Sequence, residues 1–163
     1  MALLDNWDLK DENNAVYQAK EKKKSPEDSD SPSLPKYGVS DLGASFGAPN
    51  FAFPFKHSRG DLKSYRHAKF IRNTTPEYVD FTCPAKPSIV WYFHDRRSWH
   101  DHNRLRWITT QVPRADARWM GQLLAQLTAQ QIRDAFRAAG YSPSEIDGFA
   151  QVVEKRIAEL NRL

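Results

Sequence analysis

The stretch Thr128-Ala129-Gln130-Gln131-Ile132-Arg133-Asp134-Ala135-Phe136-Arg137-Ala138-Ala139-Gly140-Tyr141-Ser142-Pro143-Ser144-Glu145-Ile146 holds two helix starts and one helix stop. Thr128 with Gln131, and Ser142 with Glu145, have the spacing of capping boxes, in which each partner satisfies a backbone N–H of the open first turn. Pro143 stands at a first helical position, where its missing N–H costs nothing. Gly140 falls where a chain leaving a helix turns left-handed, a conformation that penalises any Cβ. Working outward, Ile132, Ala135, Phe136 and Ala139 make one apolar stripe, and Ile146, Phe149, Val153, Ile157 and Leu160 make another. Met120, Leu123, Leu124 and Leu127 make a third. Spacings of three and four put each set on one helix face, which predicts a three-helix bundle over 113–163 with these stripes as its core.

Upstream of the bundle the composition shifts three times. Residues 37–112 carry strand-like runs at Lys36–Ser40, Tyr78–Thr82 and Ser88–His94, punctuated by Gly, Pro and Asn. Ile89-Val90-Trp91-Tyr92-Phe93 is apolar on both faces and reads as a buried strand. Pro49 and Pro54 enclose Phe51, Phe53 and Phe55 in an extended loop expected to pack on the core. Residues 19–36 are Lys-, Ser-, Pro- and acid-rich with almost nothing to bury, so they read as a disordered insertion. Residues 1–18 mix apolar and acidic positions. The expected fold class is therefore α+β: short strands and aromatic loops, then the helical bundle, within a single incomplete domain.

Composition bounds the function. The chain has 163 residues, 24 Lys plus Arg against 20 Asp plus Glu, and a net charge of +4, too modest to announce a nucleic-acid binder. Its single cysteine, Cys83, excludes an internal disulfide and a structural zinc site built on cysteines. Cys83 precedes Pro84 with no helix start to lower its pKa, so it reads as inert. No apolar run approaches the roughly 18 residues of a membrane span. No basic region followed by an apolar stretch marks a signal peptide. The default expectation is a soluble, cytoplasmic protein with no membrane partner.

The candidate chemistry lies in Asn6-Trp7-Asp8-Leu9-Lys10-Asp11-Glu12-Asn13 and in Tyr37-Gly38-Val39-Ser40-Asp41-Leu42-Gly43. Phosphoryl transfer to a hydroxyl needs a carboxylate near the acceptor and a cation for the moving phosphoryl group. It also needs an amide and a second carboxylate to hold magnesium. Asp8, Lys10, Asn13 and Asp41 supply that set in order. Asp41 follows a strand-like run and precedes Gly43, which lets the backbone reverse without a Cβ clash.

At these residues the sequence resembles the protein-kinase-like superfamily. Asp8-Leu9-Lys10-x-x-Asn13 is similar to the kinase catalytic loop, and Asp41-Leu42-Gly43 to its metal-binding turn. Asn6-x-Asp8 followed by Asn13 is also similar to the loops of bacterial Hip-type toxin kinases. The resemblance implies that Asp8 is the catalytic base and that Lys10 touches the γ-phosphate. It implies that Asn13 and Asp41 hold Mg²⁺ and that Asn13, Asp41 and Gly43 form the cofactor-binding turn for Mg²⁺ and ATP. The C-terminal helices would belong to the helical lobe. The chain departs from the pattern in having Asn6-Trp7 before Asp8, Leu42 in place of a phenylalanine, and no Ala-Pro-Glu downstream. No Gly-rich loop with a phosphate-contacting lysine precedes Asp8, and Met1-Ala2-Leu3-Leu4 resembles the end of an apolar helix. The expectation is a C-terminal piece of a kinase-like enzyme, inactive without its nucleotide-binding lobe, its acceptor undetermined.

Two other clusters carry weaker chemistry. His94, Asp95, His100, Asp101 and His102 supply metal-ligand types, but without helical i, i+4 spacing they read as surface hydrogen-bonding groups. Arg96, Arg97, Arg104, Arg106, Arg114 and Arg118 interleave with Trp99, Trp107 and Trp119. The alternative to an enzyme is thus a non-catalytic module using 91–119 to hold a phosphorylated or nucleic-acid partner. Gly43, Gly47 and Gly60 lack dinucleotide-motif spacing and read as turn residues.

Overall fold

The computed structural model describes residues 2–6, 14–17, 36–39, 45–47, 60–82, 93, 96–97, 100 and 104–163. Within them the protein is α+β. Strand β1 (Asn14–Tyr17) pairs antiparallel with β2 (Lys36–Val39), Asn14 opposite Val39 and Tyr17 opposite Lys36. A short helix α1 (Leu62–His67) leads into β3 (Ile71–Thr74), β4 (Tyr78–Phe81) and β5 (Val112–Pro113). These strands form an antiparallel sheet in the order β3-β4-β5. Helices α2 (Arg114–Leu124), α3 (Ala129–Ala138) and α4 (Pro143–Asn161) complete the chain.

Local chemistry sets the helix ends. Thr128 donates its N–H to the Gln131 Oε1 at 2.8 Å and accepts the Gln131 N–H at 3.1 Å. At α4, the Glu145 carboxylate accepts the Ser142 N–H at 2.9 Å, with Pro143 in the first turn. Gly140 leaves α3 at φ +79°, and Tyr141 donates to the Phe136 carbonyl while Gly140 donates to Arg137. Those two bonds make a Schellman stop, which only a residue at ease in the left-handed region fits without strain. In the sheet, Gln111 donates its N–H to Asp80 at 2.8 Å. That bond, with the Arg72 guanidinium 3.6 Å away, holds the Asp80 carboxyl below the usual range.

Helix α4 is the axis of the packing. One buried cluster joins its Ile146, Phe149, Ala150, Val153 and Ile157 to Tyr65, Ile132 and Phe136. A second joins Leu160 and Leu163 to Ala117, Phe70, Val79 and Phe81. The α4 stripe read from the sequence is therefore core along its whole length. The α2 stripe is core only at Leu124, which packs against both clusters. Ala117 and Gly121 are the buried residues of α2, whereas Met120, Leu123 and Leu127 are exposed. A Cβ on Gly121 would stand 2.7 Å from the Leu160 Cβ, so α2 meets α4 backbone to side chain through its smallest residues. The large residues are displaced to the flank, where Trp119, Met120 and Leu127 line an apolar recess of about 1200 Å³. On α3, Ile132 and Phe136 are buried as expected, but Ala135 and Ala139 face solvent.

The expected strand at 88–94 meets one described residue, and there it is overturned. Phe93 is helical and 77% exposed, while 89–92 lie outside the described residues. A short run apolar on both faces does not separate strand from helix by periodicity. The insertion at 19–36 lies outside the described residues apart from Lys36, which begins β2; the Phe51, Phe53 and Phe55 triplet lies wholly outside. No helix among the described residues is long and apolar enough to cross a membrane.

The close approach at Gly121 gives a direct test. Gly121→Val puts a branched side chain against Leu160 and is expected to cost about 1–3 kcal/mol. Urea unfolding followed by circular dichroism measures it, with exposed Leu123→Ala expected to change stability far less.

Candidate functional site

Described residues tie together the two segments that contain the candidate catalytic groups, 7–13 and 40–44, on both sides. On one side the Phe46 N–H donates to the Leu4 carbonyl at 2.6 Å. On the other, Asn14 pairs with Val39 at the end of the β1–β2 ladder. Asp8, Lys10, Asn13, Asp41 and Gly43 themselves lie outside the described residues. Asn13 is bonded to Asn14, and Asp41 follows Val39 by two residues.

The anchor before Asp8 is built from three elements. Ala2–Leu4 form a 3-10 turn, and the Leu3 carbonyl accepts the Tyr65 hydroxyl at 2.7 Å and Arg156 Nη1 at 2.8 Å. Arg156 Nη1 also donates to the Ala2 carbonyl at 3.2 Å. Its Nη2 donates to the carbonyls of Tyr65 at 3.1 Å and Ala68 at 3.2 Å. The guanidinium lies 4.1 Å above the Tyr65 ring and is only 3% exposed. A guanidinium suits this place because its planar fork of donors reaches several carbonyls at once and stacks on an aromatic face. Asp5, at φ +50°, then turns the chain into the buried Asn6.

The anchor after Gly43 is an aromatic plug. The Phe46 ring packs edge-on against Phe136 at 5.0 Å, Tyr65 at 5.5 Å and Phe149 at 5.7 Å. Phe46 has φ +69°, a costly conformation for a bulky side chain, on the order of 1–3 kcal/mol. Ring burial and the bond to Leu4 hold it there. Gly47 follows at φ +98°, and a Cβ on it would approach the Asp61 carbonyl to 2.7 Å. Both anchors therefore rest on one aromatic cluster centred on Tyr65 and Phe149.

Burial also sets the ionisation of this region. It pushes the Tyr65 hydroxyl up to about 12, with the nearby Arg156 charge opposing the shift. Burial raises the Asp5 carboxyl as well, again against the attraction of Arg156.

The weaker sequence signals fare unevenly. Of the histidine and aspartate cluster only His100 is described, and it is exposed; His94, Asp95, Asp101, His102 and also Cys83 lie outside the described residues. Trp107 and Trp119 are 68% and 57% exposed. Arg114 and Arg118 both donate to the Leu163 carbonyl, so they fasten the last residue to α2. Comparison with family models, curated proteins and solved structures gives no match to this chain.

Sequence reading missed the residues that build the anchors. Arg156 stands three residues after Val153 and four before Leu160, so helical periodicity already puts it on the buried face. An arginine at such a position is a signal, because a buried charge needs dedicated partners. Phe46 and Tyr65 gave no pattern of their own.

Two measurements test the anchor. Arg156→Met removes one donor from each of four carbonyls and is expected to cost about 3 kcal/mol, with Arg156→Lys recovering only part, since one ammonium cannot span them. Urea unfolding reads both. The raised Tyr65 has a defined sign: the unfolded tyrosine ionises near its ordinary value of about 10 while the folded one does not. Stability should therefore fall as pH rises through about 10, and Tyr65→Phe should flatten that alkaline limb while lowering stability at neutral pH.

Proposed function

We propose that this chain carries the base-bearing and metal-holding part of a kinase-like phosphotransferase that uses ATP and Mg²⁺. The observation behind this reading is the double tie between segments 7–13 and 40–44. The Leu4–Phe46 bond and the Asn14–Val39 pair join the described residues that flank the two motifs in the sequence. Two ligands of one cation need such a tether, and Asn13 and Asp41 adjoin the same end of one ladder. Their amide and carboxylate oxygens are hard donors of the kind Mg²⁺ takes.

On this reading Asp8 accepts the proton of the attacking hydroxyl, and Lys10 faces the charge on the transferring phosphoryl oxygens. Mg²⁺, when bound, neutralises phosphate oxygens. Arg156 and Tyr65 act as positioning residues, since they fix the backbone just ahead of Asp8. Phe46 does the same just beyond Gly43. Activity requires a nucleotide-binding lobe besides these residues, because no Gly-rich phosphate loop accompanies the motifs. The second reading, a binding module on 91–119, draws support from the exposed Trp107 and Trp119. It loses support from Arg114 and Arg118, which are committed to Leu163.

The test uses the full chain joined to any in-frame sequence found ahead of Met1. Mg²⁺·ATP binding and γ-phosphate release are measured for Asp8→Ala and Asp41→Ala. Asp41→Ala should weaken nucleotide binding and Asp8→Ala should leave it intact while lowering turnover by about 100-fold or more. Wild-type behaviour in both variants, or no binding of Mg²⁺·ATP at all, overturns the reading.

A further inference from the structure

The second site lies between α1 and α4, built from residues with no part in the phosphotransfer reading except Arg156. A recess of about 450 Å³ opens there, lined by the α1–β3 connection and by one side of α4. Its charged lining is Arg66, Lys69, Lys155 and Arg156, four cations, against one carboxylate, Glu159. His67 adds an imidazole.

Three features separate this recess from an ordinary solvated basic face. First, the cations come from two elements far apart in the chain and converge because α1 packs closely on α4 at Gly148. A Cβ on Gly148 would stand 2.4 Å from a Leu62 methyl and 3.1 Å from the Arg66 guanidinium, so that guanidinium lies across the α4 surface. Second, the buried Arg156 puts a permanent positive charge among the lining residues. Its hydrogen bonds go to four neutral carbonyls and its charge is opposed through space by Asp5. A charge held in a poorly polarisable interior projects its field into an adjoining cleft more strongly than one in water. Third, Arg156 occupies the Tyr65 and Ala68 carbonyls, which would otherwise present acceptors at the end of α1. The His67 Nδ1 donates to the Lys63 carbonyl at 2.7 Å, which pins the ring at the rim of the recess. Glu159 is partly offset by Lys155 at 4.0 Å.

We infer that this recess binds a phosphate-bearing anion of more than one charge, through Arg66, Lys69 and Lys155 with Arg156 beneath. Arginine and lysine forming a concave cationic surface match the oxygens and the charge of such groups. The anion's phosphates would belong to a soluble compound or to a lipid headgroup.

Inorganic pyrophosphate, titrated calorimetrically into the full chain without magnesium, is the first probe. Arg66→Glu and Lys155→Glu should each weaken binding by about tenfold or more, whereas Arg137→Glu, an equal charge change on α3, should alter it less than about twofold. Circular dichroism confirms that the exposed-site variants stay folded. Asp41→Asn keeps this inference separate from the phosphotransfer reading: unchanged pyrophosphate binding supports the recess. Loss in Asp41→Asn moves the anion to the other site and overturns the assignment. No binding, or equal weakening in all three charge-reversal variants, overturns it too. Co-sedimentation with phosphatidylcholine vesicles carrying a bisphosphorylated inositol lipid distinguishes the sources. Pelleting abolished by Arg66→Glu supports a headgroup, and pyrophosphate binding without pelleting supports a soluble ligand.

Discussion

One buried guanidinium holds together parts of the chain that sequence separates by more than 150 positions. Arg156 on α4 bonds the carbonyls of Ala2 and Leu3, and those of Tyr65 and Ala68. A buried charge with no hydrogen-bonded carboxylate is expensive unless its donors are met, and here carbonyl dipoles and the Tyr65 face meet them. The arrangement is directional, which greasy packing is not. An apolar residue in its place would fill space but leave the turn at Ala2–Leu4 free to slide along α4. The geometry of the chain just ahead of Asp8 depends on that fixity.

The turn at Ser45–Gly47 depends on the same cluster. Tyr65 is at once the donor to Leu3, the platform beneath Arg156 and a wall of the pocket that receives Phe46. Phe46 can occupy a costly backbone conformation because its ring packs edge-on among Tyr65, Phe136 and Phe149. Strain stored in this way is compensated by packing rather than relieved locally. The described turns at Ala2–Leu4 and Ser45–Gly47 therefore share one support.

What the sequence revealed and what it hid follow from the range of each interaction. Capping boxes, the Gly140 stop and the α4 stripe are local patterns, and each stands in the structure as read. The α2 stripe failed except at Leu124 because helix packing rewards close approach as well as hydrophobicity. Ala117 and Gly121 bring α2 against Leu160, and the larger residues at 120, 123 and 127 are left on the flank. Arg156 acts across 91 positions to Tyr65 and across 153 and 154 to the N-terminal turn, and Tyr65 reaches Leu3 across 62. Periodicity carries no information at that distance. The reading at Asp8, Asn13 and Asp41 rests on residue types and their order alone, and those residues lie outside the described ones.

The β1–β2 ladder closes a long stretch of chain. The chain joining Tyr17 to Lys36 runs from 18 to 35, yet the strands at its ends pair in register. Loop-closure entropy grows only logarithmically, so replacing a two-residue turn with about 18 residues costs on the order of 2 kcal/mol. A ladder this short is marginal alone and does not offset even that with certainty of register. The second tie, from Phe46 to Leu4, limits the register from outside, because it fixes where the chain must be a few residues past β2. Insertion length and site geometry are thereby uncoupled: the loop joins the strands at their far end, and both candidate metal ligands adjoin the near one.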